Sequence, residues 1–209
     1  MLVIGLCGGS GTGKNLVQAM LSKLGIPGLD TDSVYHRLIG TSSPLTKALS
    51  HRFGKEILGL DGAVDRRRLR DIVFADGETG KAALSDLNRI SHAAVLDECR
   101  AWLSERSAEG AIAAVINAPL LLESGFHTEC DAIVAVLADE TVRVARLTER
   151  DGLTEAEARQ RINRQASDAT LNEHAGFILR NNGTEAELWT QVLSLKEYIN
   201  NLAKEQTNG

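Results

Sequence analysis

The residues best suited to chemistry lie near the start of the chain, in the segment 8–14, Gly-Gly-Ser-Gly-Thr-Gly-Lys. Glycines let the backbone turn tightly enough for successive N–H groups to point into one concavity, which can bind an anion. The Gly-x4-Gly-Lys spacing is that of a P-loop, in which the lysine, here Lys14, reaches the β- and γ-phosphates of a nucleotide. The alternative is a glycine-rich turn without a ligand. Four glycines within six residues carry an entropic cost that phosphate binding explains.

The residues after the lysine depart from this pattern. Asn15, followed by Leu16, stands where a P-loop usually has a hydroxyl residue that ligates Mg2+. An amide oxygen can coordinate a hard cation or accept a hydrogen bond from a metal-bound water. We therefore predict Asn15 as the metal-side residue of the loop, and the change affects metal geometry more than phosphate binding.

Two carboxylates, Asp30 and Asp32, follow a short segment that we predict as the second strand of a sheet. In an open parallel sheet, ligands collect beyond the carboxyl ends of the strands, so both acids are candidates for a base and a metal-linked group. The alternative is that one of them caps the helix predicted over residues 33–39. Both roles can hold, one for each residue, and Asp32 is the predicted catalytic one.

Arginines, with no lysine among them, crowd the segment 143–164. Arg143, Arg146 and Arg150 fall at i, i+3 and i+7, which places them on one face of a helix. Gly152 ends that helix, and a capping box at residues 154–157 opens the next, so we predict a helical hairpin. Arginine makes planar, multi-donor contacts to phosphate, which favours a lid that closes over a triphosphate. The alternative for all of these arginines, which also include Arg159, Arg161 and Arg164, is a solvated face of salt bridges with Glu149, Glu155 and Glu157.

The elements that must hold these residues alternate apolar strands with helices, as in an α/β fold. Residues 44–106 read almost entirely as helices, a block that we interpret as an insertion. Its arginines are either a solvated face or contacts for a phosphorylated acceptor. A final helix opens at a capping box over 184–187 and runs to about residue 204, with a frayed tail. The remaining predicted strands are 2–7, 111–117, 132–137 and 177–179. The predicted helices of the block are 45–53, 65–74, 81–92 and 93–105. The clustered arginines of the block are Arg66, Arg67, Arg68 and Arg70.

Size and charge argue against several functional classes. A chain of 209 residues, 43% of them hydrophobic and 24% charged, suits one globular domain. A net charge of −5 suggests no nucleic-acid partner, and no apolar run approaches the roughly 20 residues that cross a bilayer. The short apolar run before the loop does not resemble a signal peptide, and Cys7, Cys99 and Cys130 are scattered as in a reducing compartment. We therefore predict a cytoplasmic protein with no membrane partner.

Taken in order, the motifs of this chain resemble those of dephospho-coenzyme A kinases over nearly its whole length. No single motif after the P-loop is specific, but the ordered set is hard to obtain by chance. Beyond the loop and the two carboxylates, the matching features are Phe53-Gly54, Asp61-Gly62 through Arg66, Leu69 to Phe74, His92, Pro119-Leu120-Leu121 with Glu123, Arg146, Arg150, Gln165 and the Asn181-x-Gly183 turn.

The resemblance implies an α/β fold with a P-loop NTPase-type parallel sheet flanked by helices, an inserted helical substrate domain and a helical arginine lid. It implies one kinase domain over residues 1–209, with a core of about 1–40 and 107–209, an insertion of about 41–106 and a lid of about 140–170. It also implies ATP and Mg2+ as cofactors and dephospho-coenzyme A as the small-molecule substrate. The product would be coenzyme A, phosphorylated on the ribose 3′-hydroxyl in the last step of its biosynthesis.

The resemblance assigns roles to individual residues. Asp32 matches the general base, and Lys14 and Arg146 complete the predicted catalytic set. Arg146 and Arg150 match lid arginines, and Asn181 matches a turn near the adenine. The predicted nucleotide-binding residues are Gly9, Ser10, Gly11, Thr12, Gly13, Lys14, Asn15, Leu16, Arg150 and Asn181.

Besides the loop, three positions depart from the family pattern. Ala93 replaces a proline that commonly follows the histidine, Asn117 replaces an aspartate often found before Pro-Leu-Leu, and Gly176 replaces an aspartate near the last strand. These departures leave two alternatives open. One is a different small-molecule or nucleoside kinase on the same core, and the other is an ATP-binding regulatory protein without catalysis. The oligomeric state is left open as well.

Overall fold

The computed structural model describes the backbone of residues 1–208 and the side chains of residues 1–206. The chain divides into two compact units, Met1–Asp30 with Leu103–Gly209, and Thr31–Trp102. The predicted insertion of about 41–106 falls largely within the second unit, which also takes in the helix that follows the second strand. The organisation of one kinase domain into core, insertion and lid stays a prediction.

Five parallel strands form the sheet of the first unit: β1 (Leu2–Cys7), β2 (Gly28–Asp30), β3 (Ala113–Asn117), β4 (Ala132–Leu137) and β5 (Phe177–Arg180). Their order is β2-β3-β1-β4-β5. β3 is buried along its whole length, and β1 and β4 along most of theirs, as expected for strands covered on both faces. Because the strands run the same way, their carboxyl ends meet at one edge of the sheet, where α/β proteins bind ligands.

Helices and loops make up the rest of the described chain. In the first unit, α1 (Lys14–Lys23) and α9 (Glu185–Asn208) pack against the sheet in one apolar core that includes Leu6, Met20, Val134 and Leu195. The helices are α1 (Lys14–Lys23), α2 (Thr31–Ile39), α3 (Pro44–Phe53), α4 (Arg66–Val73), α5 (Glu78–Ala108), α6 (Glu140–Asp151), α7 (Glu155–Asn163), α8 (Asp168–His174) and α9 (Glu185–Asn208), with short 3-10 turns at Lys55–Ile57 and Phe126–Glu129.

One predicted break between helices is wrong. Separate helices are predicted over residues 81–92 and 93–105, whereas α5 is continuous for 31 residues. The junction reads Ser-His-Ala-Ala and contains no glycine or proline. Alanine is the best helix former and keeps its backbone N–H, so the absence of a proline at Ala93 lets the helix run through.

Both predicted capping boxes are confirmed. Thr154 accepts the Glu157 N–H on its hydroxyl while the Glu157 carboxylate accepts the Thr154 N–H, and Thr184 and Glu187 repeat the arrangement. These bonds favour the ionised carboxylate and lower the pKa of both glutamates.

The ends of the chain's last segments are less well predicted. α8 has no counterpart in the predicted elements, because seven residues are too few for a helical period to stand out. α9 extends past the predicted end near residue 204 to Asn208, and residue 209 of the tail predicted to fray lies outside the described residues. Within the part of the chain that the structure describes, no helix has both the length and the apolarity needed to cross a membrane.

Candidate active site

The predicted P-loop connects β1 to α1 at the carboxyl edge of the sheet. Gly8, Gly11 and Gly13 have positive φ angles of 144°, 81° and 96°, which side chains disfavour. α1 begins at Lys14, so its N-terminal N–H groups and the positive end of its dipole lie at the end of the loop. Lys14 is buried, and its Nζ donates a 2.7 Å hydrogen bond to the Gly8 carbonyl. The lysine therefore spans the loop from its last residue to its first.

Asn181, in the turn after β5, is hydrogen-bonded to the loop. Its Nδ2 donates to the Thr12 carbonyl at 2.8 Å, and its backbone N–H donates to the Leu137 carbonyl at 2.8 Å. A Cβ added at Gly13 would lie 2.3 Å from Asn181 Nδ2, so the glycine is needed for the close approach as well as for its φ angle. Asn181 thereby connects the loop to the end of β4 at the edge of the sheet.

Arg146 of α6 contacts both the loop and Asn181. Its Nη1 donates to the Gly11 carbonyl at 3.1 Å, and its Nη2 donates to Asn181 Oδ1 at 3.3 Å. Together with Arg150, these residues line a cavity of about 470 Å³ beside the loop. A cavity of this size suits a nucleotide-sized ligand. Its lining residues are Gly11, Gly13, Leu16, Arg146, Glu149, Arg150 and Asn181.

Arg143 also contacts the loop. It was predicted to lie on the same helix face as Arg146 and Arg150, but it was not among the predicted site residues. Its Nε donates to the Ser10 carbonyl at 2.9 Å, and it is 6% exposed. Burial lowers the pKa of this guanidinium, and Asp168, 3.8 Å away, opposes that effect. Next to it, Gln165 Oε1 accepts the Ser10 N–H at 2.7 Å. The signal that could have identified Arg143 is its i, i+3 spacing from Arg146, which puts both on one face.

Three further arginines of the hairpin, Arg150, Arg159 and Arg161, bind carboxylates within it. Arg150 makes two hydrogen bonds with Asp151, at 2.7 and 2.9 Å, and Arg161 binds the same carboxylate at 2.8 Å. The bond from Arg150 and the charge of Arg161 lower the pKa of Asp151. Arg159 pairs with Glu140. Surface ion pairing therefore describes Arg159 and Arg161, whereas Arg143 and Arg146 lie on the loop.

The two predicted carboxylates fall in different units. Asp30 is the last residue of β2 and is aligned with Asn117 of β3. Asp32 is the second residue of α2 and belongs to the second unit. α2 begins at Thr31, two residues before the predicted start, so Asp32 lies inside the first turn and the residue directly before the helix is Asp30. An acid in a first turn still stabilises its helix through the dipole, and the catalytic role of Asp32 stays a prediction.

Three side-chain amides meet where β3 ends, and we call Asn15, Gln18 and Asn117 the amide cluster. Nδ2 of Asn117 donates to Asn15 Oδ1 and to Gln18 Oε1, each at 2.8 Å. Mg2+ binds oxygen ligands, most often carboxylates and water, and here the amide oxygens of Asn15 and Gln18 already accept from Asn117. As it stands, this donor set does not fit a metal ion, and the metal-side role of Asn15 stays a prediction.

Cys7, the last residue of β1, is a buried thiol rather than a nucleophile. It is 1% exposed, and burial raises its pKa to about 11, although the charge of Lys14 acts in the opposite direction. In the unfolded chain the thiol ionises near its ordinary value of 9.0, so the folded state loses stability as the pH rises from about 9 to about 11.

We therefore expect Cys7→Ala to flatten the alkaline decline of stability. Between pH 9 and 11 the wild type should lose about 2 kcal/mol more than the variant, following from the shift of the thiol pKa. Urea unfolding of both proteins at each pH measures this difference. Parallel declines would contradict the prediction.

A family model described as dephospho-CoA kinase matches residues 2–187. The chain belongs to the dephospho-CoA kinase family. The dephospho-CoA kinase of Geobacter metallireducens is 37% identical over 203 residues, covering 95% of this chain and 98% of its own length. Those of Geobacillus kaustophilus and Syntrophotalea carbinolica are each 35% identical, covering 97% and 93% of this chain and 99% and 90% of their own lengths. The resemblance seen in the motifs is thereby confirmed, and membership of a kinase family implies ATP as a substrate.

Solved structures agree on the fold. A protein of Thermus thermophilus superposes with a TM-score of 0.78 at 28% identity, covering 94% of this chain and 96% of that one. Dephospho-CoA kinase from Campylobacter jejuni has a TM-score of 0.68 at 20% identity, with coverage of 94% and 96%. Shikimate kinase from Acinetobacter baumannii has a TM-score of 0.57 at 19% identity, with coverage of 95% and 94%. The predicted fold class of this dephospho-CoA kinase family member is confirmed.

Proposed function

We propose that this protein transfers the γ-phosphoryl group of ATP to the ribose 3′-hydroxyl of dephospho-coenzyme A, giving coenzyme A and ADP. The observation that carries the proposal is the joining of the P-loop, Arg146 and Asn181 around one cavity, in a chain of the dephospho-CoA kinase family. Phosphoryl transfer requires little covalent chemistry from the protein. It requires alignment, neutralisation of charge and a group that orients the attacking hydroxyl.

In this proposal the loop and its neighbours bind ATP. N–H groups of the loop over residues 9–16 cradle the phosphates, except those that already donate within the protein, of which the Ser10 N–H bonded to Gln165 is one. Lys14 exchanges its bond to the Gly8 carbonyl for one to the β- and γ-phosphates. Asn181 fixes the loop from the adenine side, and Arg150 flanks the cavity from the lid. Because Arg146 already points at the loop, a small movement of its guanidinium would place it on the transferring phosphate.

Asp32 is the proposed general base. The helical second unit is the proposed site for the acceptor, and we assign no single contact residue in it. One of its clustered arginines, Arg68, already has structural partners, since its Nη1 donates to the Glu56 carbonyl at 2.9 Å and its Nε pairs with Asp65 at 3.3 Å. Mg2+ is proposed to arrive bound to the ATP phosphates, and no step depends on a protein ligand to it. The cytoplasmic location and the absence of a nucleic-acid partner stay predictions from composition.

The test is an ADP-release assay with three acceptors offered separately: dephospho-coenzyme A, adenosine and shikimate. We expect ADP only with dephospho-coenzyme A, together with a product heavier by about 80 Da, the mass of one added phosphoryl group. Lys14→Ala, which removes the charge next to the transferring phosphate, is the control for contaminating kinases. ADP with another acceptor alone would favour a different small-molecule kinase. ATP binding without ADP release would favour the non-catalytic alternative.

A further inference from the structure

The amide cluster lies directly after the P-loop, and the proposed function assigns it no role. Asn117 is fully buried at the end of β3, and both hydrogens of its amide nitrogen have an acceptor, Asn15 Oδ1 and Gln18 Oε1. Asn15, by contrast, is exposed at the second position of α1. A buried amide therefore sets the orientation of an exposed one.

This orientation decides which atoms Asn15 presents outward. A primary amide carries its oxygen and its nitrogen on opposite sides of one carbon atom. With Oδ1 held by Asn117 at 2.8 Å, Nδ2 of Asn15 points away from the buried amide, toward the exposed side of the residue. The outward atom at this position is thus a donor of two hydrogens with no acceptor capacity.

The electrostatics of this donor favour an anion over a cation. An amide NH2 cannot ligate a metal ion, but it can donate to a phosphate oxygen, and the N-terminus of α1 next to it also favours negative charge. Asn117 is neutral and adds no charge that would attract Mg2+. The carboxylate aligned with it is that of Asp30, and metal binding there would appear in the experiment below as tighter ADP binding in MgCl2.

We infer that Asn15 donates a hydrogen bond to a phosphate oxygen of the nucleotide instead of holding Mg2+, and that Asn117 is the positioning residue that sets this polarity. The protein then binds nucleoside di- and triphosphates with little dependence on the metal. The inference rests on the proposed nucleotide-binding function. It deepens that function by assigning the chemistry of one position in the site.

The experiment measures ADP affinity by calorimetry in EDTA and in MgCl2. For the wild type we expect the two dissociation constants to differ by less than about threefold, because the metal then only screens the charge of solvent-exposed phosphates. Binding of Mn2+ to the ADP-bound protein, followed by electron paramagnetic resonance, supplies a second readout that does not involve turnover.

Asn117→Asp reverses the polarity. A carboxylate only accepts hydrogen bonds, so Asn15 would turn its nitrogen inward and its oxygen outward, and a negative charge would appear at the end of β3. ADP affinity in EDTA should fall about tenfold or more, the scale of a lost hydrogen bond to a charged group, and MgCl2 should restore it. Mn2+ binding should strengthen in parallel. Asn201→Asp, an exposed change of equal charge on α9, should leave both readouts unchanged.

Asn15→Ser is the second variant and alters only an exposed side chain, so it does not depend on the tolerance of a buried charge. It removes the donor and adds a hydroxyl that can ligate a metal, and we expect ADP affinity in EDTA to fall while affinity in MgCl2 is kept. The inference is overturned if the wild type binds ADP tenfold or more tightly with MgCl2, or if Asn15→Ser leaves the affinity in EDTA unchanged. Absence of ADP binding under both conditions would overturn the proposed function, and this inference with it.

Discussion

Replacing Asp32 by asparagine is expected to lower turnover by about 10²- to 10⁴-fold, the span that general-base catalysis contributes. A ribose hydroxyl is a poor nucleophile, and a carboxylate within hydrogen-bond reach can orient it and take its proton. Because the transition state of phosphoryl transfer is loose, the carboxylate is expected to act as much by positioning the hydroxyl as by accepting its proton. Asn preserves the size of the side chain and removes the negative acceptor. ADP release at saturating substrates measures the effect, and ATP affinity should be nearly unchanged.

The matched control is Asp30→Asn, which makes the same chemical change two residues earlier. Asp30 ends β2 beside Asn117, whereas Asp32 lies in the first turn of α2. Asp30→Asn should cost less, unless that carboxylate holds a metal-bound water. Near-full turnover of Asp32→Asn together with an inactive Asp30→Asn would mean that the base is the other carboxylate. A lower free energy of unfolding in Asp32→Asn with turnover kept would favour a structural role, in which the carboxylate stabilises the first turn of α2 through the helix dipole.

Arg146→Ala is expected to lower turnover by about 10²- to 10³-fold, the range for removing one donor that stabilises charge in a transition state. Arg146 lies on the loop, donating to the Gly11 carbonyl at 3.1 Å and to Asn181 at 3.3 Å, and it lines the cavity. Its guanidinium therefore lies beside the loop before ligand binds, and the movement proposed above would bring it to the transferring phosphate. Single-turnover measurements with pre-bound ATP separate this effect from weaker binding, since the loss should persist at saturation.

Arg159→Ala is the control within the same hairpin. Arg159 pairs with Glu140 and Glu155 instead of the loop, and such exposed pairs contribute little. Its turnover should stay within about twofold of the wild type, a change comparable to the loss of an exposed ion pair. Equal and small losses in the two variants would reduce the arginine face to a solvated one. Arg146→Lys adds a further comparison, because lysine keeps the charge without the two-pronged donor geometry.

Local sequence patterns determined most of the elements of this protein. The P-loop was predictable because its glycines and lysine act through backbone geometry within eight residues, and β1 and β4 were predictable because buried parallel strands are continuous apolar runs. The capping boxes were predictable for the same reason, since each joins residues three apart. The break predicted inside α5 failed because it was placed where no residue opposes a helix, and α8 was missed because it is too short to show a period.

Only the tertiary structure decided which side chains of these elements meet. Arginine at positions 143, 146, 159 and 161 is the same residue type on two neighbouring helices, yet the packing of the hairpin puts the first two on the loop and the last two on carboxylates. The amide cluster brings together Asn15 and Asn117, which are 102 positions apart in the chain. Sequence spacing reports on neighbours along one helix or strand, whereas such contacts depend on the order and register of the strands, because β3 lies between β1 and β2. The sequence therefore determined a loop whose chemistry suits phosphate, and the fold determined the side chains that orient it.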